Sequence, residues 1–267
     1  MKITNPAKIK PKDLIVFDLD GTLAETKTPM DAEMVGLFKK LLQTKKVAVI
    51  GGGKYPLFEM QLLHPLRRAP STLFSNLSLF PTTATSFFRY RNGWRKVYAH
   101  TLTKSERARI KKAFKDVLDS IDYVSPKKTY GPVIEDRLTQ VTWSALGQEV
   151  VTMLGKKKGV ALKEKWKRGH TKTKIEIARR MAKLLPDLEV RAAGHTSVDV
   201  TKKGIDKAYG LHQIEKYLHV KINKMLFVGD AIFPNGNDYA VVRTGVDYVP
   251  VKGPEETKKI IRAVLAS

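Results

Sequence analysis

Val16-Phe17-Asp18-Leu19-Asp20-Gly21-Thr22-Leu23-Ala24-Glu25 sets two carboxylates one residue apart at the end of an apolar run and follows them at once with Gly-Thr. Residues 14–17 read as a buried strand, and parallel sheets present ligand sites at the carboxyl ends of their strands. Side chains alternate along an extended chain, so the pattern predicts Asp18 and Asp20 on one side. Close carboxylates repel unless a cation or a shared proton relieves them. Magnesium (Mg2+) is the expected relief, with Asp18 as a hard oxygen ligand and the Gly21-Thr22 turn exposing backbone groups. A strand that merely ends in an acidic turn would carry the same residues, so more distant segments have to decide.

Near the other end of the chain, residues 224–228 read as a second short buried strand. It runs into Gly229-Asp230-Ala231-Ile232-Phe233-Pro234-Asn235-Gly236-Asn237-Asp238. Before it, Lys207 follows Gly204-Ile205-Asp206 and opens a helix whose Leu211, Ile214 and Leu218 recur at helical spacing. Residues 47–50 form another apolar strand. A helix with the stripe Met34, Val35, Phe38, Leu41 and Leu42 precedes it, and Gly51-Gly52-Gly53 opens a further helical segment. Strand and helix in alternation predict a parallel sheet with covering helices. Arg91-Asn92-Gly93-Trp94, between Phe87-Phe88 and Val97-Tyr98, reads as a hairpin turn.

Beyond the hairpin the pattern changes. Thr103 with Glu106, and Thr173 with Glu176, have the spacing of helix capping boxes ahead of apolar stripes. Gln140, Thr142 and Ser144 alternate with Val141, Trp143 and Ala145; His195, Ser197 and Asp199 alternate with Thr196, Val198 and Val200. Each is a strand with one buried and one polar face. The expected organisation is a core domain over residues 1–100 and 203–267, interrupted by a small α+β module over 101–202.

The 267 residues are 42% hydrophobic, enough for a substantial core, and include no cysteine, which removes disulfides and thiol chemistry. Lys2, Lys8, Lys10 and Lys12 near the start come without an apolar signal region, and no run suits a membrane span. A cytoplasmic protein without membrane association is the expectation. The net charge of +23, from 49 Lys and Arg against 26 Asp and Glu, keeps nucleic acid among possible partners. Lysines concentrate at residues 155–174, where a solvated surface segment is the favoured reading over a polyanion site. Trp166 is the one candidate there for base stacking.

Taken together, these segments resemble the motifs of the haloacid dehalogenase superfamily, whose members transfer phosphoryl groups through an aspartate. The opening stretch is similar to motif I, Lys207 to the motif III lysine, and Gly229 to Asp238 to the longer form of motif IV. The resemblance implies a Rossmann-like α/β core, a parallel sheet with helices on both faces, and an inserted α+β cap of the C2 type. It implies Asp18 as nucleophile, Asp20 as acid and base, and Lys207 as charge neutraliser. Magnesium would be held by Asp18, Asp20 through its carbonyl, and Asp230, with Asn237 and Asp238 ordering the surroundings. The superfamily's motif II hydroxyl is replaced by Gly51-Gly52-Gly53, whose N–H groups are expected to form an anion nest, with Thr22 completing the phosphate site.

The long motif and the glycine stretch resemble the phosphomannomutase-like branch of subfamily IIB. That likeness implies substrate contacts from Lys27, Arg137, Thr142, Ser144, Gln148, Ser197 and Asp199. At Gln148 the branch carries a phosphate-binding arginine, and a neutral amide cannot supply its bidentate charge. The expected activity is therefore hydrolysis of a small phosphorylated metabolite, a sugar phosphate. Phosphomannomutase activity is the alternative, and a polyanion-binding protein with little catalysis the more distant one. A homodimer fits the apolar content of the cap.

Overall fold

The structure, a computed structural model, describes residues 1–5, 9, 11–234 and 236–266; Lys8, Lys10 and Asn235 lie outside the described residues. The chain divides into two compact units, one formed by Met1–Ala99 with Asp206–Ser267 and the other by His100–Ile205.

The first unit is built on a seven-stranded sheet. Its strands are β1 (Leu14–Asp18), β2 (Lys46–Ile50), β3 (Leu77–Phe80), β4 (Ser86–Tyr90), β5 (Trp94–Ala99), β10 (Met225–Gly229) and β11 (Asp247–Pro250), in the order β11-β10-β1-β2-β3-β4-β5. Pairs from β11 through β3 are parallel, and β4 and β5 close one edge as an antiparallel hairpin through Asn92-Gly93. The apolar runs are continuous because both faces are buried. Ile15, Phe17, Val47, Val49, Leu226 and Val228 enter one cluster, whereas Leu14, Val16, Ala48, Ile50, Met225 and Phe227 enter another on the opposite face.

Helices α1 (Ala32–Thr44) and α5 (Pro254–Leu265) pack on the first face, and α4 (Lys207–Leu218) on the second. α1 begins where the Asp31 side chain accepts from Met34 N–H at 2.8 Å, and it buries Met34, Phe38, Leu41 and Leu42. Burying one Leu or Phe side chain contributes about 1.5–3 kcal/mol. Intrinsic helix preferences differ by at most about 0.7 kcal/mol between ordinary residues, so the buried stripe decides where α1 lies. β1 has β10 on one side and β2 on the other, so the strand order reverses there, and a crevice at the carboxyl ends follows.

The second unit carries an antiparallel sheet, β6 (Ile134–Asp136), β7 (Val141–Ser144), β9 (Ser197–Lys202) and β8 (Leu188–Ala193) in the order β6-β7-β9-β8. Helices α2 (Lys104–Ser120) and α3 (Lys156–Leu184) share its apolar cluster around Trp143, Val198 and Val200. The capping box of Thr103 and Glu106 at α2 has both of its hydrogen bonds.

Most lysines of the lysine-rich segment are exposed, as expected of a solvated surface. Residues 156–184 are two helical stretches joined across a kink at His170, treated together as α3, so a helix starts close to the expected place, with Thr173 inside it rather than at its cap. Its partner Glu176 instead binds Arg179 and Arg180. Leu162, Trp166, Ile177 and Met181 join the apolar cluster and pull the helix onto the unit, burying Lys163 and Lys174 with it. Trp166 is 6% exposed and stacks on His170 at 4.9 Å, which removes the candidate for base stacking. No helix among the described residues is long and apolar enough to cross a membrane.

Candidate active site

Asp18 is the last residue of β1 and Asp230 follows the last residue of β10, so adjacent parallel strands deliver both to the carboxyl edge. Lys207, first residue of α4, is placed by its neighbour Asp206, whose side chain caps the helix on Tyr209 N–H at 2.9 Å. The Lys207 ammonium donates to Oδ1 of Asp18 and to Oδ1 of Asp238, and lies 5.9 Å from the centre of the Phe227 ring. Asp238 is fully buried, and its other oxygen accepts from Ala231 N–H at 3.0 Å. Carboxylate oxygens of Asp18, Asp230 and Asp238 lie within 4.8 Å of one another.

Two glycines make this convergence possible. A Cβ at Gly21, whose φ is +87°, would stand 2.6 Å from an Asp230 oxygen, and one at Gly229 would stand 2.4 Å from an Asp238 oxygen. Any larger residue would push a carboxylate away.

Burial raises the Asp18 carboxyl well above its ordinary range; Lys207 opposes the shift, and Asp238 and Asp230 add to it. Asp230 is pushed up to about 6, again by burial first and then by the charge of Asp238. For Lys207, burial works against the charged form, but the two carboxylates outweigh it and hold its pKa above the ordinary lysine value. Three carboxylates thus face one ammonium at low solvent access, an excess of negative charge that favours a bound cation. All the donors are hard oxygens, which suits magnesium, and the buried Thr22 hydroxyl in the same loop has no hydrogen-bond partner.

Asp20 lies just beyond the strand. β1 stops at Asp18, and Asp20 sits in the turn that follows, with Gly21 N–H on Ala24 O at 2.7 Å; its charge acts on Asp230. Oδ1 of Asp20 accepts from Lys27 N–H at 2.7 Å and from Gln61 Nε2 at 2.9 Å. The acidic cluster is Asp18, Asp230 and Asp238, and the Asp20 carboxylate is outside it. Lys27, half-buried with φ 55°, meets Asp20 through its backbone. Asn237 is partly exposed in the turn before Asp238.

The nest expected at Gly51-Gly52-Gly53 does not form. A nest needs neighbouring residues of alternating hand, and none of the three has a left-handed φ. Gly51 N–H donates to Phe80 O at 3.3 Å, while the carbonyls of Gly51 and Gly53 accept from Thr83 and Thr82 at 2.8 Å each. The short helix after them starts at Tyr55. Thr82, Thr83 and Ala84 themselves lie in the left-handed region, with φ of 49°, 57° and 63°, a conformation that β-branched residues rarely adopt. No local sequence signal marks that turn. Tyr98 holds it through a hydrogen bond from its hydroxyl to Ala84 O at 3.0 Å.

In the second unit, strand register places Glu135, Thr142, Asp199 and Arg191 in one row across the sheet. Thr142 donates to Asp199 at 2.7 Å, and Gln140 to Thr142 at 2.9 Å. Arg137 donates to Glu135 at 2.7 Å and to the side-chain oxygen of Gln148 at 3.1 Å. Ser144 meets Gly147 O and the Thr196 hydroxyl at 3.1 and 3.0 Å, and pairs in register with Ser197. Burial raises the Asp199 carboxyl, against the pull of Arg137, Thr142, Arg191 and Lys174. Glu135, Gln140, Arg191, Thr196 and Lys174 belong to this group and escaped the sequence reading; Gln140 and Arg191 carried the signal of strand alternation. Gln61 escaped it too, although a glutamine in the apolar stripe Phe58, Leu62 and Leu66 was a visible anomaly.

The sequence profile of the haloacid dehalogenase-like hydrolases matches residues 15–242. The chain is 23% identical over 262 residues to the phosphomannomutase of Encephalitozoon cuniculi, covering 95% of this chain and 94% of that protein. It is 26% identical over 271 residues to the probable phosphomannomutase of Caenorhabditis elegans, covering 98% of each. Among solved structures, the N-terminally truncated, IMP-bound IMP-nucleotidase of Plasmodium falciparum superposes with a TM-score of 0.71 at 16% identity, over 96% of this chain and 69% of that one. The trehalose-6-phosphate phosphatase of Aspergillus fumigatus gives 0.55 at 15% identity, over 98% and 96%. With the profile spanning both strands that carry Asp18 and Asp230, this chain belongs to the haloacid dehalogenase-like hydrolases.

Proposed function

We propose that the chain is a magnesium-dependent phosphatase that hydrolyses a sugar phosphate through an aspartyl-phosphate on Asp18. The observation that carries this reading is the enclosed Lys207, which joins Asp18 to Asp238 beside Asp230 at the crevice of the sheet. A bound magnesium would be held by Asp18 and Asp230 and would supply charge neutralisation for the phosphoryl oxygens.

A carboxylate oxygen of Asp18 attacks phosphorus, the bond from phosphorus to the leaving oxygen breaks, and that oxygen takes a proton from Asp20. Asp20, now a carboxylate, takes a proton from the water that attacks the aspartyl-phosphate, which returns Asp18 and releases phosphate. Lys207 offsets charge on the nucleophile and the transferring group throughout. The hydroxyl, amide and carboxylate groups of Ser144, Thr142, Gln148, Ser197 and Asp199 suit a polyhydroxylated substrate.

The phosphomannomutase relatives, aligned over nearly the whole chain, favour a second reading as a sugar-phosphate mutase. A mutase has to hold a second phosphate. Here Gln148 replaces the arginine, and Arg137 is already paired with Glu135 at 2.7 Å, which supports hydrolysis. Phosphate release from a panel of sugar mono- and bisphosphates, with magnesium or EDTA, tests the proposal beside a coupled assay for mannose 1-phosphate to 6-phosphate conversion. Magnesium-dependent release without isomer conversion is the expected result; conversion that requires bisphosphate would replace the phosphatase by the mutase.

A further inference from the structure

Gln61 sits in a π-helical stretch, Glu59–Leu63, and is fully buried. Its Nε2 faces three acceptors: Asp20 Oδ1 at 2.9 Å, Thr28 O at 3.1 Å and Glu25 O at 3.3 Å. No donor is among them, so the nitrogen end of the amide must be the end that points there. Its Oε1 is buried with no hydrogen-bond partner. An amide with one unpaired end in an apolar stripe is less stable than an apolar residue would be, so packing alone does not account for glutamine at this position. π-helical turns are frequent at functional sites.

We infer that Gln61 is a positioning residue for Asp20. Together with the Lys27 amide it fixes Oδ1, and so leaves Oδ2 as the oxygen that carries the proton to the leaving group. This rests on the role given to Asp20 in the proposed phosphatase reaction.

The test is kcat/KM for a series of aryl phosphates, from 4-nitrophenyl to phenyl phosphate, with magnesium present. 4-Nitrophenoxide departs readily without a proton, whereas phenoxide needs one. A positioned proton donor contributes about 10²–10⁴-fold. Gln61→Met is expected to lower kcat/KM for phenyl phosphate about tenfold more than for 4-nitrophenyl phosphate, a fraction of that range. Gln61→Glu keeps the volume and polarity, removes the donor, and should steepen the dependence on leaving group in the same way should the Met variant fail to fold. In an Asp20→Asn background the Gln61 substitutions should change nothing further. An active wild type whose variants lose activity equally for all leaving groups, or lose it again without Asp20, overturns the inference alone and leaves Gln61 a clamp on the carbonyls of Glu25 and Thr28. A wild type inactive on the whole series removes the phosphatase reading and the inference with it.

Discussion

The two units handle buried charge in opposite ways. At the edge of the core sheet, Asp18, Asp230 and Asp238 meet the single ammonium of Lys207, and negative charge is left over. On the polar face of the second sheet the charges are balanced: Arg137 pairs with Glu135, Arg191 with Glu189, and Lys174 acts on Asp199. The first arrangement suits a bound cation, whereas in the second each charged side chain already has an opposite charge near it.

The largest effect expected from this contrast is at Asp18. Asp18→Asn keeps the size and removes the nucleophile, and phosphate release in magnesium should fall at least about 10⁴-fold with the circular dichroism unchanged. Next, Lys207→Met leaves Asp18 and Asp238 buried without their partner, and urea unfolding in EDTA should show a loss of about 3–5 kcal/mol. A loss under about 1 kcal/mol would mean that the two carboxylates share a proton in its absence.

Gln148→Arg attacks the balance of the second unit. It should tighten binding of a sugar bisphosphate about tenfold by calorimetry and leave a monophosphate little changed, because only the bisphosphate offers a second dianion. The smallest effect concerns Lys174, whose pKa burial lowers from 10.5 to about 8, with Lys167 adding to the shift. Between these values the unfolded chain binds more protons than the folded one, so stability rises with pH across the window. Relative to Lys174→Met, the wild type should therefore gain on the order of 1 kcal/mol in unfolding experiments between pH 8 and 10.5. A difference independent of pH would place the ammonium in water.

How much of this was legible beforehand differs between segments. Asp18, Lys207 and Asp230 stand at a strand end, a helix start and a strand end, each announced by an apolar run or a capping residue close by. The glycine nest is absent because none of the three residues takes a left-handed φ, and the Gly51 N–H is drawn to Phe80 O at the end of β3. In α3 the helix breaks at His170, just before the expected cap at Thr173, and Trp166 on one side with Ile177 and Met181 on the other holds both stretches on the same apolar cluster.

The sequence by itself determined the parallel α/β core, the antiparallel inserted sheet, the family, and the three charged residues at element ends, since periodicity and short motifs encode local structure and burial. Only the tertiary structure decided that Asp238 shares Lys207 with Asp18, that Gln61 reaches Asp20, and that Arg137 is neutralised by Glu135. Each of these depends on which side chains meet in space across strand register, loop path or long sequence separation, and no local spacing specifies that.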